Sequence, residues 1–208
     1  MLPLTRWLGA ARRVVSPRPD RTLEPDYFER MYARKEDPWN FAGSPYELDK
    51  YAATLAILGE RRFARAFEIG CSVGVLTARL AAHVDSLLAV DVSPRAVSVA
   101  RRRCAASTNV TVERLNVPHE FPLERFDFVL LSEVGYYWSR HDLRLAIDRI
   151  VSATPGGWVE LVHYLPKVRD YPLSGDEVHE TFLADARFCS VAAKRAERYR
   201  IDLLAVRA

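Results

Sequence analysis

Glu68 and Asp91 are the residues of this sequence whose type and spacing point most directly to chemistry. Glu68 closes a short apolar run, and the small-residue stretch Gly70-Cys-Ser-Val-Gly74 follows it. A second apolar run, 87–90, ends in Asp91. A strand, a tight turn and a helix opening form the geometry in which main chain approaches a nucleotide-like ligand. Gly70 and Gly74 permit that approach, because a Cβ there would collide with the ligand. An acid at the place of Asp91 can accept hydrogen bonds from both ribose hydroxyls of a nucleoside. The Gly-x-x-x-Gly spacing lacks the third glycine that seats a pyrophosphate, and Glu68 would repel a phosphate while attracting an ammonium or sulfonium group.

These acids need strand ends to carry them, and the surrounding pattern supplies strands. Apolar runs predict strands at 65–69, 86–90, 110–114, 126–131 and 158–163, with helices near 74–83, 94–105 and 142–152 between them. The alternation predicts a doubly wound α/β fold: a mainly parallel, seven-stranded, Rossmann-like sheet with helices on both faces. The seven strands include 188–196 and 198–206, which are so close in sequence that they must pair as a C-terminal antiparallel hairpin. Upstream, 25–36 reads as a short helix. Ser44 and Glu47 read as a capping box with Pro45 at the first helical position, opening a helix that Gly59 ends. Its inner stripe is expected at Leu48, Tyr51, Ala52, Leu55 and Leu58. Ser174-Gly-Asp-Glu177 is a second capping box, and Ser93-Pro94 a second cap-then-proline start.

Composition bounds the function classes. With 208 residues, 49% hydrophobic and 27% charged, the chain suits one domain with a large core. A formal charge of +3 is too small to argue for nucleic acid, and Arg101-Arg-Arg103 reads as a solvated helix face. Cys71, Cys104 and Cys189 are widely spaced and form no CxxC, so neither a metal site nor a disulfide framework is expected, and a reducing, cytoplasmic setting fits best. No apolar run has the length of an integral membrane segment. The organisation expected is a basic arm over 1–22, a helical lid region over 23–62 and a ligand-binding domain over 63–208.

Taken together, Glu68-x-Gly-x-x-x-Gly74, Asp91, Asn116 and Phe126-Asp-Phe-Val-Leu-Leu-Ser-Glu133 resemble the motif series of class I S-adenosylmethionine-dependent methyltransferases. Asp37-Pro-Trp39, Pro45-Tyr-Glu47, Glu68-Ile-Gly-Cys71 and Ser132-Glu-Val-Gly-Tyr-Tyr137 are more specifically similar to the nodulation protein S (NodS) branch, which N-methylates the amino sugar of a chitin-oligosaccharide signal. The resemblance implies S-adenosyl-L-methionine as cofactor and methyl transfer to a small-molecule or oligosaccharide acceptor, N- or O-linked, with N-methylation of an amino sugar among the options. It implies that Gly70, Cys71 and Gly74 line the methionine moiety, that Asp91 holds the ribose, and that Glu68 belongs to the cofactor site. Val92 and Val117 would flank adenine, with Asn116 facing its amine. Ser132 and Glu133 would lie beneath the sulfonium, and Trp39, Tyr46 and Tyr51 would lid the cofactor. Asn116 stands where most relatives carry Asp; its amide oxygen can still accept from an amine.

Methyl transfer is an in-line displacement that needs orientation and the removal of one proton at most. The candidate bases are Glu133, His163 at a strand end and His179 in the following helix. Tyr136 and Tyr137 fit either acceptor binding or core packing. Cys71 reads as a small loop residue whose thiol a helix start would make more acidic. Two other readings stay open: a nicotinamide-dependent reductase, against which the missing glycine and the hairpin count, and a non-catalytic cofactor-binding domain.

Overall fold

The computed structural model describes residues 20–207. The basic arm expected over 1–22 therefore lies outside the described residues except for its end. That end is anchored: Ser139 N donates to Thr22 Oγ1 at 2.8 Å, Leu23 N to the Tyr137 carbonyl at 2.9 Å, and Arg140 N to Asp20 Oδ1 at 3.0 Å.

The elements run α1 (Pro25–Arg34), α2 (Pro45–Leu58), β1 (Phe63–Ile69), α3 (Val75–Leu80), β2 (Val84–Asp91), α4 (Pro94–Arg103), β3 (Val110–Arg114), β4 (Phe128–Ser132), α5 (Arg140–Ala153), β5 (Trp158–Tyr164), α6 (Gly175–Leu183), β6 (Phe188–Arg195) and β7 (Tyr199–Val206). One seven-stranded sheet has the order β3-β2-β1-β4-β5-β7-β6. Strands β1 to β5 are parallel, and β7 runs antiparallel to both β5 and β6. The expected doubly wound sheet and C-terminal hairpin are both present. β4 begins at Phe128, two residues later than its apolar run; just before it the Asp127 carboxylate accepts Ala64 N and Arg65 N at 2.7 and 2.8 Å.

Side-chain alternation gives each face of the sheet its own core. Phe128 and Leu130 of β4 join α2, α3 and α4 through Leu58, Leu80, Val97 and Ala100. Val129 and Leu131 face the other way, onto α5 and α6 through Ile147, Ile150 and Phe182. The two helices read as serine-then-proline starts have their expected cap: Ser93 Oγ accepts from Ala96 N at 3.2 Å and Ser44 Oγ from Glu47 N at 3.4 Å.

Helix α2 departs from its sequence pattern in two ways. Ser174 and Glu177 make a full capping box, but Ser44 and Glu47 make only half of one, because the Glu47 carboxylate turns inward to Lys50. The buried face of α2 carries Glu47, Lys50, Tyr51, Ala53, Thr54 and Leu58, so Ala52 of the expected stripe is exposed and Leu48 and Leu55 are only half-buried. Tyr51 and Leu58 of the expected stripe are buried, and Glu47, Lys50 and Thr54 share that face with them. Among the described residues no helix is long and apolar enough to cross a membrane.

Candidate functional site

The turn after β1 is built on main-chain hydrogen bonds to β2. Gly70 N and Cys71 N both donate to the Val90 carbonyl, at 2.8 and 2.9 Å. Gly70 has φ +85°, and a Cβ there would lie 2.1 Å from Val134 Cγ2, so the turn admits no side chain at that point. Ser72 follows at φ +50°. It is held in that left-handed conformation by Asp91, whose Oδ2 accepts Ser72 N at 2.9 Å while its Oδ1 accepts Ser93 N at 2.9 Å. Tyr32 of α1 closes the turn from outside, its hydroxyl 2.5 Å from Ser72 Oγ.

Over the carboxyl ends of β1, β2 and β4 lies a cavity of about 460 Å³, within the size range of small-molecule sites. Of the residues predicted to hold a cofactor, Gly70, Asp91, Val92, Asn116, Val117 and Ser132 line it. Trp39 and Tyr46 also line it, from the N-terminal segment above. The Asp37 carboxylate shapes that segment by accepting Phe41 N and Ala42 N, both at 2.9 Å, which brings Trp39 onto Tyr32 and Phe41 with ring centroids 5.5 and 5.6 Å apart.

The other predicted residues lie elsewhere. Glu68, Cys71 and Tyr51 do not reach the main cavity; they border a side pocket of about 30 Å³ that shares Gly70, Ser132 and Glu133 with it. Gly74 (φ +78°) lies at the start of α3, where a Cβ would be 3.0 Å from Ala100 Cα; it serves helix packing and not the cavity wall. His163 and His179 are fully buried on the far side of the cavity wall, so neither meets a ligand there. Their candidacy as bases is corrected by burial.

Burial also sets the electrostatics. It pushes the Glu68 carboxyl up to about 7, with nearby Asp91 adding to the effect, and Glu68 Oε2 has no hydrogen-bond partner among the described residues. Burial raises Asp91 to about 6 against the pull of the Ser93 and Ser72 amides. The Cys71 thiol is raised, not lowered as its helix-start position suggested, because it is buried beside Asp91 and Glu68. Two carboxyls held near neutrality, one of them with an orphaned oxygen, suit a ligand that brings positive charge and hydroxyl donors.

Glu133, the remaining candidate base, lines the cavity at φ +59°. Its carboxylate accepts Lys50 Nζ at 2.5 Å, Tyr164 N at 3.0 Å and the Tyr136 hydroxyl. Lys50 is only 2% exposed, and Glu47 Oε2 lies 2.9 Å from its Nζ. Burial draws the Lys50 ammonium toward neutrality, but Glu133 and Glu47 outweigh it and hold the charge. Sequence reading passed over Lys50 and read Glu47 as a helix-capping acid; the signal was a polar stripe at helical spacing, 47, 50 and 54, on a helix otherwise read for its apolar residues. Lys50→Met leaves buried Glu47 and half-buried Glu133 without their counter-charge, so a loss of about 3–5 kcal/mol in urea unfolding is expected; a loss under about 1 kcal/mol would mean that the acids rely on other partners.

Tyr136 and Tyr137 pack in the core and also reach the cavity wall. Tyr136 stacks on Tyr171 with centroids 5.2 Å apart, and Tyr137 meets Phe28 edge-on at 4.9 Å.

Comparison with known proteins agrees with this architecture. Residues 25–156 match the family model described as nodulation protein S (NodS). A nodulation protein S of Rhizobium tropici is 32% identical over 125 residues, covering 59% of this chain and 52% of the relative. One from Azorhizobium caulinodans is 32% identical over 117 residues, covering 55% and 56%. The chain thus spans about half the length of the curated relatives it matches. Among solved structures, the N-methyltransferase NodS of Bradyrhizobium japonicum WM9 in complex with S-adenosyl-L-homocysteine superposes with a TM-score of 0.77 at 23% identity, over 87% of this chain and 97% of that one. A putative methyltransferase from Pseudomonas syringae superposes with a TM-score of 0.69 at 32% identity, over 77% and 98%.

Proposed function

The chain belongs to the nodulation protein S family and has the class I methyltransferase fold, and from that premise we propose that it is an S-adenosylmethionine-dependent methyltransferase whose acceptor is an amine, of the amino-sugar kind. The observation that carries this reading is Asp91: a half-buried strand-end carboxylate that accepts Ser72 N on one oxygen and Ser93 N on the other, facing a cavity of about 460 Å³. Carboxylate oxygens have about four acceptor positions in all, so Asp91 retains capacity for the two hydroxyls of a ribose. The orphaned Glu68 Oε2 and the Cβ-free approach at Gly70 support the same ligand.

S-adenosylmethionine, when bound, supplies a methyl group made electrophilic by a sulfonium. The residues of the chain do the rest. Val92 and Val117 provide apolar walls for the base, and the Asn116 side chain provides an acceptor for its amine. The lining carries three acids, Asp91, Glu47 and Glu133, against two cations, Lys50 and Arg198, a balance that favours positive charge on the ligand. An attacking nitrogen must be unprotonated to use its lone pair. Glu133 is the carboxylate on the cavity wall to which an ammonium acceptor can donate and lose that proton, and Tyr136, bonded to Glu133, orients it. Trp39 and Tyr46 roof the cavity and limit its water.

Calorimetry with S-adenosylhomocysteine, NADH as the competing ligand, and labelled methyl transfer to de-N-acetylated and fully acetylated chitin oligosaccharides test the reading. Binding of the nucleoside and labelling of the free amine alone are expected. NADH binding without S-adenosylhomocysteine binding would replace it with the reductase, and nucleoside binding without turnover on any amine would favour a non-catalytic domain.

A further inference from the structure

Behind the cavity wall, four side chains form a single directed line of hydrogen bonds. Gly135 N donates to His163 Nε2 at 3.1 Å, and His163 Nδ1 lies 3.1 Å from His179 Nε2. His179 Nδ1 is 2.6 Å from Asp202 Oδ2, which Arg200 Nε also reaches at 2.8 Å. Both imidazoles and Asp202 are at most 1% exposed. Only one proton arrangement satisfies every member. A main-chain N–H can donate to His163 Nε2 only if that nitrogen is bare, so the proton sits on Nδ1. His179 Nε2 must then accept, its proton sits on Nδ1, and a charged Asp202 receives it. Burial favours the neutral form of both rings.

This line ends at the turn that carries the acceptor side of the cavity. Gly135 opens the 3-10 turn Gly135–Tyr137, and the first N–H of such a turn has no partner within it. Glu133 at φ +59° precedes the turn and Tyr136 lies in it. Two glycines allow the close packing. A Cβ on Gly135 would lie 2.6 Å from Val178 Cγ1 and 3.0 Å from His163 Nε2, and one on Gly175 would lie 2.4 Å from the Tyr164 carbonyl and 3.1 Å from His163 Cβ.

We propose that His163 is a positioning residue for methyl transfer: held in its Nδ1-protonated form by His179, Asp202 and Arg200, it anchors Gly135 and thereby sets Glu133 and Tyr136 against the acceptor. The proposal rests on the methyltransferase reading for its consequence in turnover, but not for its proton arrangement. A donor-bearing Nε2 would face the Gly135 N–H head-on and push the turn away, and displacements of about 1 Å at a transfer site cost on the order of 100-fold in rate.

Nitrogen NMR of the wild-type imidazoles reads the proton arrangement directly. A bare Nε2 and protonated Nδ1 on His163 are expected; a protonated Nε2 would overturn the proposal whatever the protein catalyses. His163→Phe keeps ring volume without an acceptor, and His163→Gln keeps an acceptor near Nε2. For labelled transfer to de-N-acetylated chitin oligosaccharide, kcat of His163→Phe should fall at least about tenfold with S-adenosylhomocysteine affinity within about twofold of wild type, and His163→Gln should recover most of it. Equal kcat in wild type and His163→Phe would overturn the proposal, as would equal losses in both variants. Where the wild type binds no S-adenosylhomocysteine, the functional reading fails alone, and the amide shifts of Gly135 and Tyr136, moved in His163→Phe and restored in His163→Gln, still decide the anchoring.

Discussion

Asp91→Ala weakens binding of S-adenosylhomocysteine by at least about 100-fold, because removing a charged acceptor of two hydroxyls costs on the order of 3 kcal/mol. The variant also strips Ser72 N and Ser93 N of their acceptor, which loosens the turn next to the cavity. Asp91→Asn separates the two effects. The amide keeps one oxygen for a main-chain donor but turns an N–H toward the other, so an intermediate loss of about tenfold is expected. Calorimetric titration of the three proteins measures the series. An Asp91→Ala affinity within about threefold of wild type would remove Asp91 from the binding site.

Glu68→Gln makes the ligand-free protein more stable above neutrality and a poorer binder. The Glu68 carboxyl moves from an ordinary value of 4.5 to about 7 on folding. Between those values the folded chain keeps a proton that the unfolded chain releases, so stability falls as pH rises through that window. The penalty is absent below about pH 4.5 and complete above about pH 7, where it amounts to roughly 3 kcal/mol. Asp91, raised to about 6 from 3.8, and Glu160, raised well above its ordinary value by burial and without a hydrogen-bond partner among the described residues, add slope of the same sign. Thermal unfolding of wild type should therefore show Tm declining from about pH 5 to about pH 8, with a shallower decline in Glu68→Gln. Saturating S-adenosylhomocysteine should restore stability more in wild type than in the variant, since binding stabilises in proportion to affinity. A Tm difference between the two proteins that is the same at both ends of that range would contradict this assignment. Glu68 thus destabilises its own fold at a position bordering the small pocket beside the main cavity, as expected of an acid kept for a ligand.

Most of the architecture was legible because its signals are local. Proline after serine starts α2 and α4, the capping box at Ser174 starts α6, and the near-absence of a linker before Arg198 makes β6 and β7 a hairpin. The acids at the ends of β1 and β2 could be read in the same way, since a polar residue after an apolar run marks where a strand leaves the core. Of the aromatics on the cavity wall, Trp39 stood out as a large side chain in an irregular segment, and Tyr46 was indicated only by the family resemblance.

What escaped the sequence was which face a strand-end side chain would take and which charges would be buried together. His163 and Tyr164 are adjacent on β5, and a one-residue step reverses the face: Tyr164 lines the cavity while His163 points away to His179 of α6. Lys50 is stable in the interior only because Glu133 and Glu47 meet it, and Glu133 is 83 residues away in sequence. The sequence by itself determined the order of strands and helices, the turn at Gly70 and the acid at Asp91, all encoded within a few neighbouring residues. Only the tertiary structure decided that Lys50, Glu133 and Tyr136 form one cluster and that His163, His179 and Asp202 form another, because a buried charge or imidazole takes its protonation and its role from partners that the chain brings to it from a distance.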